Sequence, residues 1–241
     1  MGLHLQRLRP ISCVMEINAD FKARALVHTN TIKWVPSPMA GVDRRMLDRV
    51  GGEVARATSI VRYAPQSAFS QHTHSGGEEF IVLEGVFQDE HGDYPAGTYV
   101  RNPVGTHHIP RSDPGCTIFV KLWQFDPDDQ EQFAIDLNTA ALTRDPANPG
   151  VSRHVLAKRD YEHVSLEVWE GGTSLPLIHS GGLEILVLDG ALTLDGVTYR
   201  EQDWLRIPAD EAATMTARKD GARLWIKRGH LREIRIPGQV A

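Results

Sequence analysis

The chain has 241 residues, of which 41% are hydrophobic and 24% are charged, as is usual for a globular protein. Its 31 acidic and 26 basic residues give a net charge of −5, which argues against nucleic acid as a partner, since phosphate binding needs a cationic patch. No apolar run approaches the roughly 20 residues of a membrane-spanning helix, so we also expect no membrane partner. The length suffices for one large domain or two smaller ones.

The first residues predict neither a leader sequence nor a redox site. Met1 to Val14 contains Arg7 and Arg9 but lacks an apolar core long enough for a secretory signal, so we expect a cytoplasmic protein. The two cysteines, Cys13 and Cys116, form no Cys-x-x-Cys pair, which indicates two reduced thiols. Cys116 precedes an apolar run and is expected to be buried in a strand.

The next segments predict strands. Residues 33–42 are extended and rich in proline, which cannot donate to a sheet, so this segment is expected at an edge or as a cover. Residues 44–50 alternate charged and apolar side chains, and residues 55–63 form a second such segment. Residues 80–83 are a short apolar run that ends near Gly85, a pattern typical of a buried strand.

A histidine pair marks the candidate functional site. His72 and His74 are two residues apart, so in a strand both point to one face. Glu78 can return to that face through the turn at Gly76 and Gly77, and a second strand would bring in His108. Three imidazoles and a carboxylate suit one divalent transition metal ion, with Zn or Fe as first candidates and Ni or Mn as others. Catalytic residues beyond these ligands are not predicted.

These residues also carry a resemblance to a known family. They are similar to the two paired motifs of the cupins, which read here His72-x-His74-x3-Glu78-x6-Gly85 and Gly97-x5-Pro103-x-Gly105-x2-His108. Residues 92–103 resemble most closely the ChrR-like subgroup, named for the zinc-binding cupin domain of an anti-sigma factor. The resemblance implies an antiparallel double-stranded β-helix, or jelly-roll barrel, with the metal in one mouth. The spacing to Gly85 favours Glu78 over Glu79 as the acidic ligand.

Two expectations about the N-terminal region follow from this resemblance. Residues 15–21 resemble the way family members begin, so we predict Met15 as the natural start. Residues 1–32 are then an extension and arm. The anti-sigma proteins carry a helical zinc domain before the cupin domain, but this chain has no such His/Cys motif and too few residues before Trp34 to hold that domain. Direct inhibition of a sigma factor is therefore not implied.

An internal repeat predicts a second barrel. With an offset of 105 residues, Gly85 aligns with Gly190 and His74 with His179. The fold class is thus all-β with two tandem cupin barrels: a metal-binding domain at residues 33–126, a linker at 127–150 and a degenerate domain at 151–241. Three replacements at the positions of His72, Glu78 and His108 predict that the second barrel is metal-free: Leu177, Leu183 and Ala213.

The ligand set leaves three functions open. The first is a metal-dependent oxidoreductase, similar to a dioxygenase, that acts on a small carbonyl compound. The second is a non-catalytic zinc sensor or regulator of oxidative-stress signalling, resembling the ChrR cupin domain, and the third is a metal-dependent isomerase or hydrolase. Each binds a small-molecule ligand or substrate, and a homodimer is possible. Some of five polar strand residues are expected to line the pocket: Arg62, Tyr99, Arg101, Lys121 and Gln124.

Overall fold

The computed structural model describes residues 15–238, which form two β-barrels of antiparallel strands and one 3-10 turn, Thr29–Thr31. Residues 1–14 of the predicted N-terminal extension, which include Cys13, lie outside the described residues. Cys116 is a buried free thiol, and burial raises its pKa to about 11. Within the described chain, no helix has the length and apolar character needed to cross a membrane. The prediction of an all-β fold with two tandem barrels is confirmed.

The strands account for most of the described chain. In chain order they are β1 (Met15–Ile17), β2 (Ala25–Val27), β3 (Val35–Pro36), β4 (Val42–Gly51), β5 (Ala55–Tyr63), β6 (Ser67–Ala68), β7 (His72–Thr73), β8 (Glu78–Asp89), β9 (Gly92–Pro95), β10 (Thr98–Asn102), β11 (His107–His108), β12 (Arg111–Ser112), β13 (Cys116–Leu122), β14 (Phe133–Asp136), β15 (Thr143–Arg144), β16 (Val151–Lys158), β17 (His163–Trp169), β18 (Ser174–Leu177), β19 (Leu183–Leu194), β20 (Val197–Arg200), β21 (Trp204–Ile207) and β22 (Ala213–Arg228). The predicted strand at residues 55–63 is β5.

Each barrel is built around one large sheet. In the first, the central strands lie side by side in the order β1-β4-β5-β13-β8-β10-β14. In the second, the order is β15-β16-β17-β22-β19-β21-β2. The arm strand β2 therefore pairs with the second barrel, although it precedes the first in sequence. Strand β14 lies in the segment predicted as a linker and pairs with β10 of the first barrel.

One face of the first sheet packs inside its own barrel, and the other face packs against the second barrel. Strand β5 is buried from Ala55 to Val61 because both of its faces are covered. Val61 points into the apolar interior of the first barrel, whereas its neighbour Ile60 joins an apolar cluster shared by the two barrels. In that shared cluster Phe119 packs edge-to-face on Trp225, with ring centroids 5.3 Å apart. Sheet-to-sheet packing therefore joins the barrels.

Strands β8 and β19 correspond to each other in the repeat and have the same length. Strands β8 and β19 both have twelve residues, offset by 105. Gly85 and Gly190 occupy the same place in them, with φ values of 70° and 72°. A Cβ atom on Gly190 would lie 2.3 Å from the carbonyl oxygen of Gly221, so both backbone conformation and space require glycine.

We expect Gly190→Ala to lower the free energy of unfolding by at least about 3 kcal/mol, because the left-handed conformation and the clash add together. Gly196 is the matched control, since its φ is 79° and a Cβ atom there meets nothing within 4 Å. Gly196→Ala should therefore cost only about 1–2 kcal/mol. Denaturant unfolding followed by tryptophan fluorescence measures both losses. Equal losses would contradict the close approach to Gly221.

Candidate metal centre

Short strands at one mouth of the first barrel bring four potential ligands together. Strands β7 and β11 form a two-stranded ladder in which His72 lies opposite His108. His74 follows β7, and the turn at Gly76 and Gly77 returns the chain so that Glu78 begins β8. One ligand atom from each of these four residues lies within 4.8 Å of the other three.

The distances among these atoms fit a single ion. The Nε2 atoms of His72 and His74 are 3.3 Å apart. Oε1 of Glu78 lies 3.5 Å from Nε2 of His74 and 3.8 Å from Nε2 of His108. Two ligands about 2.1 Å from one ion, at a tetrahedral angle, are separated by about 3.4 Å. These three separations are therefore close to those expected for ligands of one first-row transition metal ion.

A threonine holds His74 in the tautomer that a metal requires. The hydroxyl of Thr106 donates to the carbonyl oxygen of Pro103 at 2.7 Å, so its lone pairs face His74. Nδ1 of His74 lies 3.0 Å from this hydroxyl oxygen and must be the donor. The Nε2 lone pair is then free and points toward the other ligands. Such outer partners orient metal-binding histidines and increase their basicity.

His108 and Glu78 have comparable supports. Nδ1 of His108 lies 3.2 Å from a carboxylate oxygen of Asp89, which leaves its Nε2 free to bind. The side-chain amide of Asn102 donates to Oε1 of Glu78 at 3.4 Å, and Gln132 in turn donates to Asn102. Sequence reasoning did not identify Asp89 as a partner of His108. No spacing signal could have revealed it, because the contact spans 19 residues of barrel.

Burial and charge set the protonation of the imidazoles. Burial lowers the pKa of His72 and His74, and the charge of Glu78 only partly offsets this effect, so both rings are neutral at pH 7. Burial also opposes a charged His108, but its hydrogen bond to Asp89 and the charge of Glu78 together raise the pKa of His108. Neutral imidazole is the form that binds a metal, so His72 and His74 can bind without first losing a proton.

We expect Thr106→Val to weaken metal binding by about 10–100-fold, as the loss of such an outer partner usually does. The substitution keeps the size of the side chain but removes the acceptor for Nδ1 of His74. Competition with a chelator of known affinity measures the change. Thr143→Val is the matched control, because Thr143 is exposed and lies outside the site. Unchanged affinity in Thr106→Val would contradict the role of the hydroxyl.

A cavity of about 450 Å³ opens beside the four residues. Arg44 and Glu53 contribute charged groups to its wall. Most of the surface is apolar and includes Met39, Val54, Val61, Phe69, Leu122 and Trp123. Trp123 has a φ of 62°, a value that a bulky residue rarely adopts, and its ring packs on Gly76 so closely that no Cβ atom fits there. The corresponding position of the second barrel is Gly229, with a φ of 92°.

The expectation about polar wall residues was wrong. None of the five predicted polar strand residues lines this cavity. Tyr99, Arg101 and Lys121 are fully buried and face the second barrel, on the same side of the sheet as Glu79. Adjacent strand residues face opposite sides, so Glu78 reaches the histidines while Glu79 binds Lys227 across the interface. His107 is exposed beside its buried neighbour His108.

The second barrel has apolar side chains at the corresponding positions. Leu183 and Ala213 belong to its apolar core, and Leu177 packs against that core. His179 is half-buried, and its Nδ1 accepts a hydrogen bond from the backbone N–H of Gly181 at 3.1 Å. His179 is thus a hydrogen-bonded residue near the surface.

Comparison with known structures supports the fold. The structure of a proposed dioxygenase from Nostoc punctiforme aligns with 91% of this chain and over 88% of its own chain, at 15% sequence identity and a TM-score of 0.73. A proposed glyoxylate-induced protein from Pseudomonas aeruginosa matches 98% and 96%, at 15% identity and a TM-score of 0.68. A mutant of salicylate 1,2-dioxygenase from Pseudoaminobacter salicylatoxidans matches 76% and 75%, at 13% identity and a TM-score of 0.54.

Comparison with sequence families gives a more specific result. No curated protein sequence is significantly similar to the chain. The family model of the ChrR cupin-like domain matches residues 22–126, which include all four clustered residues. This match agrees with the spacing of histidines, glycines and proline in the sequence. Residues 22–126 are therefore similar to the ChrR cupin-like domain, and the chain as a whole has the cupin fold in two copies.

Proposed function

We propose that the chain is a metal-dependent oxidoreductase of the dioxygenase type, acting on a small carbonyl compound. His72, His74, Glu78 and His108 are the proposed ligands of one divalent ion, Zn or Fe first among them. The convergence of these four residues beside a 450 Å³ cavity is the observation that supports this proposal most. Four protein ligands leave one or two coordination positions of the ion for water or substrate.

The metal would supply Lewis acidity toward a substrate oxygen and, if it is iron, dioxygen binding. The protein itself would orient the metal-binding histidines and select the substrate. Thr106 and Asp89 hold His74 and His108 with their Nε2 lone pairs toward the ion. Leu122 and Trp123 belong to the apolar wall that would exclude water and favour a carbonyl compound with an apolar substituent.

The structural relatives favour this reaction class. One is described as a proposed dioxygenase and another is a salicylate 1,2-dioxygenase. Their low identity carries the fold to this chain but not the activity. The reaction class of this chain is therefore argued from its site: three imidazoles, one carboxylate and no thiolate, at the mouth of a barrel.

The experiment begins with elemental analysis of untagged protein, followed by oxygen uptake on a panel of diketones and hydroxyketones. We expect iron and substrate-dependent oxygen uptake that disappears in His74→Ala. His179→Ala is the matched control, because it changes the corresponding histidine of the other barrel and should keep full uptake. Absence of any tightly bound metal would contradict the proposal, as would equal uptake in His74→Ala and the unaltered protein.

A zinc sensor is the second candidate, and the family match favours it, since residues 22–126 fit the ChrR cupin-like domain. A sensor would hold zinc tightly, with no exchangeable water position, and would consume no oxygen with any substrate. Water exchange at a cobalt-substituted site distinguishes the two functions. Conversion of a panel compound without oxygen uptake would instead indicate the third function, a metal-dependent isomerase or hydrolase.

A further inference from the structure

A second cavity, of about 220 Å³, lies between the two barrels, and both barrels contribute to its lining. Arg56 of the first barrel and Tyr161 of the second both line this inter-barrel cavity. Gln124 and His230 also line it, and they occupy equivalent positions of the two barrels at an offset of 106. These two equivalent positions carry different side chains. The cavity is separate from the metal centre, which none of these residues contacts.

Arg56 is the principal charged group of this cavity. It is only 2% exposed, and its Nε and NH2 atoms have no hydrogen-bond partner among residues 15–238. Burial lowers the pKa of Arg56, and the nearby charges of Asp48 and Glu184 only partly offset this effect. An arginine remains charged in proteins, so these unpaired donors favour a ligand with negatively charged oxygens.

Two acceptors complete the lining. The side-chain amide of Gln124 donates to the carbonyl oxygen of Ala57 at 3.0 Å, which leaves Oε1 without a partner in the described chain. Nε2 of His230 lies 2.9 Å from a carboxylate oxygen of Glu184. Burial, which outweighs the charge of Glu184, lowers the pKa of His230 to about 3, so the neutral ring donates through Nε2. Its Nδ1 is then an acceptor, also unpaired within residues 15–238.

The lining of the cavity carries a net positive charge. Its lining contains three arginines and two acidic residues: Arg56, Arg232, Arg235, Asp160 and Glu233. Arg232 and Glu233 are exposed, so the cavity is reached from solvent. Arg235 is already paired with Asp126 at 2.7 Å, which leaves the buried guanidinium of Arg56 as the main binding group.

We propose that this inter-barrel cavity binds a small oxyanion that also carries a hydroxyl group, such as a hydroxy acid or inorganic phosphate. The negatively charged oxygens accept from Arg56, and the hydroxyl donates to Gln124 or His230. A ligand with both features pairs the donors of Arg56 and one of the two acceptors, whereas a plain carboxylate leaves both acceptors unpaired. The cavity volume limits the ligand to a few non-hydrogen atoms beyond the oxyanion.

Isothermal titration of the full chain tests this proposal with three probes: glycolate, acetate and inorganic phosphate. Because hydroxy acids also bind metal ions, each titration is done on metal-loaded and on chelator-treated protein. We expect saturable one-to-one binding of glycolate, phosphate or both, whether or not metal is present, and acetate binding about five- to tenfold weaker than glycolate. Binding of phosphate alone identifies an inorganic ligand, and binding of glycolate alone identifies an organic one.

Variants then locate the binding. Arg56→Met should weaken it by at least about tenfold, since hydrogen bonds to charged groups contribute more than neutral ones. Arg144→Met is the matched control, because Arg144 is exposed and outside the cavity. If Arg56→Met fails to fold, Gln124→Glu replaces it, since a carboxylate of the same size should repel the anion. Three results would overturn the proposal: no saturable binding of any probe, binding only with metal present, or undiminished binding in the folded cavity variant.

Discussion

His108→Ala is expected to abolish stoichiometric metal binding. The substitution removes one of three imidazoles and leaves two, His72 and His74, with the carboxylate of Glu78. Loss of a direct ligand should exceed the roughly 10–100-fold effect of losing an outer partner, so we expect at least about a 100-fold loss of affinity. Elemental analysis after dialysis against a weak chelator measures it. His72→Ala should behave in the same way.

Two histidines serve as controls for this prediction. His107→Ala changes the exposed neighbour of His108 on the same short strand, and should keep the full metal content. His179→Ala changes the repeat equivalent of His74 and should also keep it. Equal metal content in His108→Ala and both controls would refute the assignment of the ligands. If His108→Ala retained its metal and the two controls did not, an ion would have to bind through the other residues.

Lys121→Met is expected to lower the free energy of unfolding of the chain by about 3–5 kcal/mol, the usual effect of removing one partner of a buried ion pair. Lys121 is fully buried, and it donates to Glu184 of the other barrel and to Thr58 of its own. Methionine fills similar space, so the main loss is the uncompensated charge left on Glu184. Denaturant unfolding with tryptophan fluorescence and circular dichroism measures the change.

The control variant and a double substitution separate charge from packing. Lys158→Met removes an exposed lysine and should change stability by less than about 0.5 kcal/mol. Adding Glu184→Gln to Lys121→Met removes the unpaired charge and keeps an acceptor for Trp204 and His230. The double variant should therefore be more stable than Lys121→Met alone. A double variant that is less stable than the single one would contradict a charge-based penalty.

Local sequence patterns predicted several strands and the clustering of four candidate ligand residues. Alternation and apolar runs are local properties, and they marked β5 and the core of β8. The turn predicted at Gly76 and Gly77 is present, and the backbone adopts a positive φ at Gly77. The clustering of His72, His74, Glu78 and His108 followed from spacing, because a two-residue ladder and a glycine turn leave few alternatives.

The interface between the barrels could not be predicted in the same way. Lys121 lies next to Glu79 in its own sheet, yet its ammonium group bonds Glu184, and Lys227 makes the reciprocal bond to Glu79. This exchange depends on how two sheets stack, and no local pattern contains that information. For the same reason Tyr99 and Arg101 were expected at a pocket but lie between the barrels. The repeats of Glu79 at Glu184 and of Lys121 at Lys227 were the sequence signals of this arrangement.

The pairing of β2 with β21 has a consequence for biosynthesis. On the ribosome, Ala25–Val27 emerges long before its partner, Trp204–Ile207, so the arm remains without a neighbour while most of the polypeptide is translated. During that interval the cluster around Leu47, Ile60 and Phe119 is incomplete, because residues of the C-terminal half belong to it. Chaperones that shield nascent apolar surfaces would therefore be most needed before Trp225, the last member of the cluster, leaves the exit tunnel.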